Sequence, residues 1–141
     1  MAPKTIFLKG DPIRIEGKAG EAITPGMLVY RSATDELKKH GSSGGNTPKI
    51  FAIEDSLQGK EIGDDYESGS RVQAEACRQN DEVYAWLKDG ETVALNGALE
   101  SAGDGTLQAL TSGMIVGYAL EALDLSASAI SAAQRIKIAV A

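Results

Sequence analysis

Apolar and polar residues alternate with a period of two along much of this chain, which is the pattern of half-buried β-strands. The clearest run is Arg71–Ala76, in which three small apolar residues would face one side and three polar residues the other. Ile13–Glu16 and Arg135–Val140 alternate in the same way, and Val83–Leu87 places its aliphatic residues on one face. The pattern therefore predicts strands rather than helices.

Turn-forming residues separate these runs. Pro25-Gly26 predicts a type II turn, because proline presets φ and glycine accepts a positive φ. Asn96-Gly97 predicts a type I′ hairpin that joins 93–95 to 98–100, and Asp104-Gly105 repeats that signal. The glycine-rich segment Gly41–Pro48 is expected to form a surface loop.

Eight or more short strands at this spacing predict an all-β fold, a small barrel or sandwich of antiparallel strands with little helix. We expect a single β-rich domain over residues 13–141, with Arg135–Val140 antiparallel to Met114–Glu121. The segment Ala122–Ala133 is expected to be a connection with at most one or two helical turns, since serine and aspartate weaken its helix propensity.

Residues 1–12 are expected to form an N-terminal arm, because prolines at both ends of this segment exclude the middle of a helix. The arm contains the short run Thr5, Ile6, Phe7, Leu8 and Lys9. It would be an ordered edge strand, a frayed terminus, or a segment that adds a strand to the sheet of a partner.

Composition narrows the function. The chain of 141 residues carries a net charge of −6 and its basic residues are dispersed, which argues against direct nucleic-acid binding. No apolar run approaches the roughly 20 residues that a membrane span needs, and Met1–Lys4 lacks the apolar segment of a signal peptide. We therefore expect a protein that is cytosolic when made and has no membrane partner.

The sequence contains no assembled reactive centre. His40 is the only histidine and is expected to be exposed at a loop edge, and Cys77 is expected to be a small buried hydrophobe. Five carboxylates of the central region could hold calcium, but solvated turn residues are the favoured interpretation; they are Glu54, Asp55, Asp64, Asp65 and Glu67. We expect no catalytic, cofactor or metal site, and thus no enzyme. The aromatic residues Tyr84 and Trp86 either form a contact surface or fill a second layer of core.

The order of several short motifs resembles the capsid cement (head decoration) proteins of tailed bacteriophages. The resemblance extends from Ile23 to Val140 and departs from the family pattern at Asn80, where glycine is expected, and in the long 122–133 connection. The motifs are Pro25–Val29, Ala52–Asp55, Gly59–Gly69 with Asp64 and Asp65 before Tyr66, Asn80–Val83, Ala85–Leu87 and Arg135–Ile138.

This resemblance implies a β-tulip-like structural protein, commonly a homotrimer, on the outer surface of the virion capsid. It would be present in the host cytoplasm during assembly. There it would bridge neighbouring subunits of the major capsid protein and resist internal DNA pressure, and we hypothesise that Thr5–Lys9 grips the capsid. Two alternatives belong to other classes. The first is a carbohydrate- or cell-surface-binding β-module on a virion, with Tyr84, Trp86 and the 41–48 loop as its platform. The second is a small hydrolase that uses the acidic residues.

Overall fold

The computed structural model describes residues 2–126 and 132–141, which are built almost wholly of β-strands. The strands are β1 (Phe7–Lys9), β2 (Ile13–Ala19), β3 (Leu28–Ala33), β4 (Glu36–Lys39), β5 (Ile50–Ala52), β6 (Arg71–Ala76), β7 (Glu82–Leu87), β8 (Thr92–Val93), β9 (Ala98–Ser101), β10 (Leu107–Ala109), β11 (Gly117–Ala119), β12 (Leu123–Asp124) and β13 (Gln134–Val140). One 3₁₀ turn, η1, spans Ser56–Gln58. The all-β prediction is confirmed.

The first part of the chain closes into a five-stranded barrel, which we name the N-terminal barrel. Its strand order is β2-β4-β3-β5-β6, and β6 pairs with β2 over six residues to complete the ring. Four of its five pairings are antiparallel, whereas β2 and β4 run parallel. Its core is made of aliphatic residues and the buried Tyr66.

The second part forms another ring, the C-terminal barrel. Its strands follow the order β7-β10-β9-β11-β13, and the pairing of β13 with β7 closes it. Here too one pairing is parallel, between β10 and β7. Strand β1 adds to β7 in antiparallel orientation, while β8 and β12 form a small sheet of their own.

Two strands of the N-terminal barrel contribute to both cores. In β5, Ile50 and Ala52 pack in the N-terminal core, whereas Phe51 between them belongs to the C-terminal core. In β3, Val29 packs in the N-terminal core, whereas the neighbouring Leu28 belongs to the C-terminal core. All five side chains are at most 1% exposed. A strand that is buried on both faces explains why Ile50–Ala52 is continuously apolar.

The predicted turns have mixed outcomes. At Pro25-Gly26, the Met27 N–H donates to the Thr24 carbonyl and Gly26 has a φ of +99°, as a type II turn requires. The Asp104-Gly105 hairpin is also confirmed, since β9 pairs antiparallel with β10 across it. The Asn96-Gly97 hairpin is wrong: β8 pairs with β12, and β9 pairs with β10 and β11.

At that position the Gly97 N–H donates to the Ala94 carbonyl, so Asn96 occupies the third place of the turn with a φ of +68°. One positive φ, rather than the two of a type I′ turn, sends the chain away from β8 instead of back along it. The predicted antiparallel pairing at the end of the chain is confirmed by β11 and β13. In the expected 122–133 connection, β12 is a short strand, and residues 127–131 lie outside the described residues.

Candidate functional site

The predicted capsid-gripping run lies against the C-terminal barrel. Phe7 is in register with Val83, and Lys9 with Glu82. Ile6 is fully buried; its N–H donates to Glu54 Oε1 (3.1 Å) and its carbonyl accepts from the Tyr84 N–H (2.7 Å). Thr5 and Lys9 are exposed, and Phe7 and Leu8 are half-buried. These four residues therefore offer the surface that a partner could touch, and a contact there stays a prediction.

Trp86 is engaged within the chain. The Arg135 guanidinium carbon lies 4.4 Å from the Trp86 ring centroid, and the indole N–H donates to the Pro25 carbonyl at 2.9 Å. Arg135 also donates to the carbonyls of Pro25 and Ile62, and its partial burial lowers its pKa. The ring-face contact therefore lies within the C-terminal barrel, whereas the indole N–H links that barrel to the turn before β3. Tyr84 is half-buried and packs against the C-terminal core.

His40 is buried, and its expected exposure at a loop edge is wrong. The side chain is 5% exposed, and its Nδ1 lies 2.6 Å from the Oγ of Ser101. Burial lowers the pKa of His40, against the opposing effect of a hydrogen bond with the Asn46 backbone. Ser101 is fully buried and accepts a hydrogen bond from the Gly103 N–H. The pair therefore ties the residue that follows β4 to the end of β9 and does not present a nucleophile to a substrate.

Glu100 is a buried carboxylate that the sequence pattern did not single out. It is 1% exposed and accepts hydrogen bonds from the Gln108 amide (2.6 Å), the Gly113 N–H (2.8 Å), and the hydroxyl (2.9 Å) and N–H (3.2 Å) of Thr111. These donors, with Gln108 first, outweigh desolvation and lower the pKa of Glu100 to about 2. The charge therefore fastens the 111–113 loop to the barrel.

Cys77 is half-buried rather than fully enclosed. Burial, followed by the negative charges of Asp81 and Glu75, raises the pKa of its thiol to about 12. The thiol is therefore protonated at neutral pH, and protonated thiols are poor nucleophiles and poor metal ligands.

The predicted acidic residues separate into two environments. Asp55, Asp64, Asp65 and Glu67 line one pocket of about 320 Å³, together with Lys60, Tyr66 and Arg71 among others. Glu54 is used elsewhere, as the acceptor for Ile6. The expectation of solvated turn carboxylates is wrong for Asp55, which is 7% exposed. Within residues 2–126 and 132–141, no three His, Cys, Asp or Glu side chains converge well enough to hold a metal ion.

In the described parts of the chain, no helix is long and apolar enough to span a membrane. No protein-family model matches the chain, and no curated protein matches it.

A solved structure has a similar fold: the head fiber gp8.5 N base of bacteriophage phi29. The superposition of the two structures covers 93% of this chain and 95% of that chain, with a TM-score of 0.61 and 13% sequence identity. The likeness includes both barrels, since it spans nearly the whole chain. At this identity it establishes the fold that the two proteins have in common.

Proposed function

We propose that this protein is a structural component of a bacteriophage virion that binds the outside of the head. There it cements neighbouring subunits of the major capsid protein and stabilises the shell against internal DNA pressure, without performing a reaction. The observation that carries the proposal is the fold shared over nearly the full length with the base of a phage head fiber. The ordered motifs that resemble capsid cement proteins support the same assignment.

The physical properties of the fold suit such a role. The two rings pack into a rigid body because β3 and β5 of the N-terminal barrel place side chains in both cores, so little conformational entropy is lost when it docks on a shell. Many copies on a symmetric head, each one a homotrimer in this proposal, would gain avidity from individually weak contacts. The net charge of −6 favours solubility in the host cytoplasm before assembly.

For the capsid contact we propose the segment Thr5–Lys9. Strand β1 pairs with β7 on one side only within the described residues, which leaves its other edge open for an added strand. Ile6 belongs to the core, so removal of the whole segment would also weaken the fold. Substitutions at exposed Lys9 and Thr5 therefore test this contact better than a truncation.

The proposal is tested by mixing the purified protein with undecorated, expanded phage heads, followed by co-sedimentation and cryo-electron microscopy. We expect regular density on the outer surface with a fixed number of copies per head. Lys9→Glu is expected to weaken binding by about tenfold. The matched control Lys18→Glu, an exposed lysine of β2 with the same charge change, should bind as the unaltered protein does.

Heads that remain bare at saturating protein would contradict the proposal. Specific signals on a glycan array, together with bare heads, would favour a carbohydrate-binding module instead. Mass measurement of the free protein in solution tests the homotrimer independently, and a monomer at all concentrations would remove that part of the proposal.

A further inference from the structure

Four apolar residues form one row across the outer face of the C-terminal barrel. The pairing registers place Ala98 of β9 opposite Tyr118 of β11, and Tyr118 opposite Ala139 of β13. The Leu110 N–H donates to the Ala98 carbonyl and so continues the β9–β10 pairing by one residue. Residues that lie directly opposite one another share a face of the sheet. We name this set the apolar row; in order across the strands it is Leu110, Ala98, Tyr118 and Ala139.

The row points outward, because the adjacent residues along β9, β11 and β13 point into the core. Leu99, Ala119 and Ile138 are buried in the C-terminal core, and side chains alternate between the two faces of a strand. Tyr118 is 41% and Leu110 36% exposed, whereas the two alanines are half-buried. Two of the five large apolar side chains that the described residues expose therefore lie in one row instead of being scattered singly.

The next row on the same face shows how the chain covers this surface elsewhere. Gln108 lies opposite Glu100, two residues along β10 and β9 from the apolar row. Glu100 is only 1% exposed, because the 111–113 loop lies over it and donates from Thr111 and Gly113. Among the described residues, no segment covers Tyr118 and Leu110 in this way.

We propose that the apolar row is the surface through which copies of this chain associate with one another. Its residues alternate in size across the sheet, as leucine, alanine, tyrosine and alanine. Adjacent strands lie about 4.8 Å apart, so the two large side chains form ridges with shallow grooves over the alanines. Ridges of this surface fit the grooves of an identical surface, in the way that the side chains of packed sheets interdigitate. The row is therefore complementary to itself.

The charges at the border of the row also fit a second copy. The net charge of −6 on each copy opposes association, but the border carries both signs. Glu82 lies opposite Ala139 on β7, with Lys9 opposite it on β1. Lys137 lies two residues before Ala139 on the same face, and its N–H donates to Glu121. None of these four ionisable side chains makes an ion pair with a described residue, so two lysines and two glutamates remain for an identical border.

The number of copies rests on the proposed function, in which the protein is a homotrimer. Around a three-fold axis the same face of each subunit can meet, with Tyr118 of one copy against an alanine of the next. The association itself depends only on the row and its border.

The test measures the mass of the intact protein by sedimentation equilibrium and native mass spectrometry, at micromolar to millimolar concentrations. We expect reversible association of the unaltered protein. Tyr118→Ser removes the ring and should raise the dissociation constant by about tenfold or more. Tyr118→Phe keeps the ring and should change it by less than about threefold. The control Leu57→Ser removes an apolar side chain that is 85% exposed and lies outside the row, so association should be unchanged.

Ala98→Arg tests the row by adding a side chain instead of removing one. The long, charged side chain fills the groove beside Tyr118 and should abolish association. Because the position points outward, the monomer should keep its fold, and far-UV circular dichroism and thermal melts of each variant check this. A merely structural role of Tyr118 would not make Ala98→Arg a folded monomer.

A monomer at every concentration would overturn the proposal, as would association that Tyr118→Ser and Ala98→Arg leave unchanged. A monomeric protein that loses head binding in Tyr118→Ser would also overturn it, and would assign the row to a capsid subunit. Head binding separates the two proposals. Decoration of heads by a protein that is monomeric in solution leaves the function intact and removes association through the row. Association that is lost in Tyr118→Ser, together with bare heads, does the reverse.

Discussion

Glu100 shows at the scale of one residue how a buried charge can be held without a cation. The carboxylate is surrounded by donors from Gln108, Thr111 and Gly113, and these lower its pKa to about 2. In the unfolded chain the same group titrates near its ordinary value of about 4.3. Hydrogen bonds to the charged form thus make protonation of Glu100 easier in the unfolded state than in the folded one.

The free energy of unfolding should therefore depend on pH through Glu100. Because the folded pKa is depressed, its contribution is fully present above the unfolded pKa and is lost as pH falls from about 4.3 to about 2. Thermal melts between pH 2 and 6 measure this loss. In Glu100→Gln, we expect a stability lower by about 1–3 kcal/mol at pH 7, and a weaker acid dependence. An identical acid dependence in both proteins would assign the pH effect to other groups.

His40 shows what a single sequence cannot reveal at this scale. Its partner Ser101 is 61 residues away, and only the docking of the two barrels brings the side chains together. The loop-like sequence after His40 pointed to exposure, but tertiary packing decided the burial. Asp55 was misjudged for the same reason. Asn80 is different: its φ of +70° explains why the related pattern has glycine there, since asparagine tolerates this conformation better than most residues.

At the scale of single elements, β5 determines how the two barrels are joined. Phe51 is fully buried in the C-terminal core although its strand belongs to the N-terminal barrel. Phe51→Ala should destabilise the protein by about 3–5 kcal/mol, because it leaves a cavity where a fully buried aromatic ring fills the C-terminal core. Urea unfolding followed by circular dichroism measures the change.

The matched control is Leu57→Ala in η1. Leu57 is 85% exposed, so its truncation should change stability by less than about 0.5 kcal/mol. Equal effects of the two substitutions would show that β5 does not join the barrels as described.

Strand positions were largely accessible from the sequence, because period-two alternation is a local signal. β6, β7 and β13 fall where alternation placed them. Which strands pair, and in which direction, was harder to predict. The β2–β4 and β7–β10 pairings are parallel, and nothing in the local pattern distinguishes a parallel partner from an antiparallel one. The hairpin predicted at Asn96-Gly97 was wrong for a related reason, since the same two residues suit more than one turn type.

At the scale of the whole molecule, the division into two rings was not predictable from composition or spacing. One set of strands at regular intervals is compatible with one larger barrel, a sandwich or two small barrels. The distinguishing information is which apolar residue enters which core, as in Ile50, Phe51 and Ala52. The candidate pocket was accessible only in part: the acidic residues were identified, but their separation and the burial of Asp55 required the fold.

The two strands that supply both cores, β3 and β5, lead to a prediction about the cooperativity of unfolding. Independent rings would unfold separately. Because β3 and β5 have residues in both cores, loss of one ring exposes apolar surface of the other. We expect one transition in urea, reported identically by the fluorescence of Trp86, the only tryptophan, and by far-UV circular dichroism.

Amide hydrogen exchange resolves the rings: Val72 and Ala74 of β6 should have the same opening free energy as Ile136 and Ile138 of β13. Earlier exchange of the β6 amides, or a fluorescence transition displaced from the circular dichroism transition, would mean that the rings are separate folding units. Each ring would then be rigid only by itself, and the two together would not form the rigid docking body that the proposed virion role assumes.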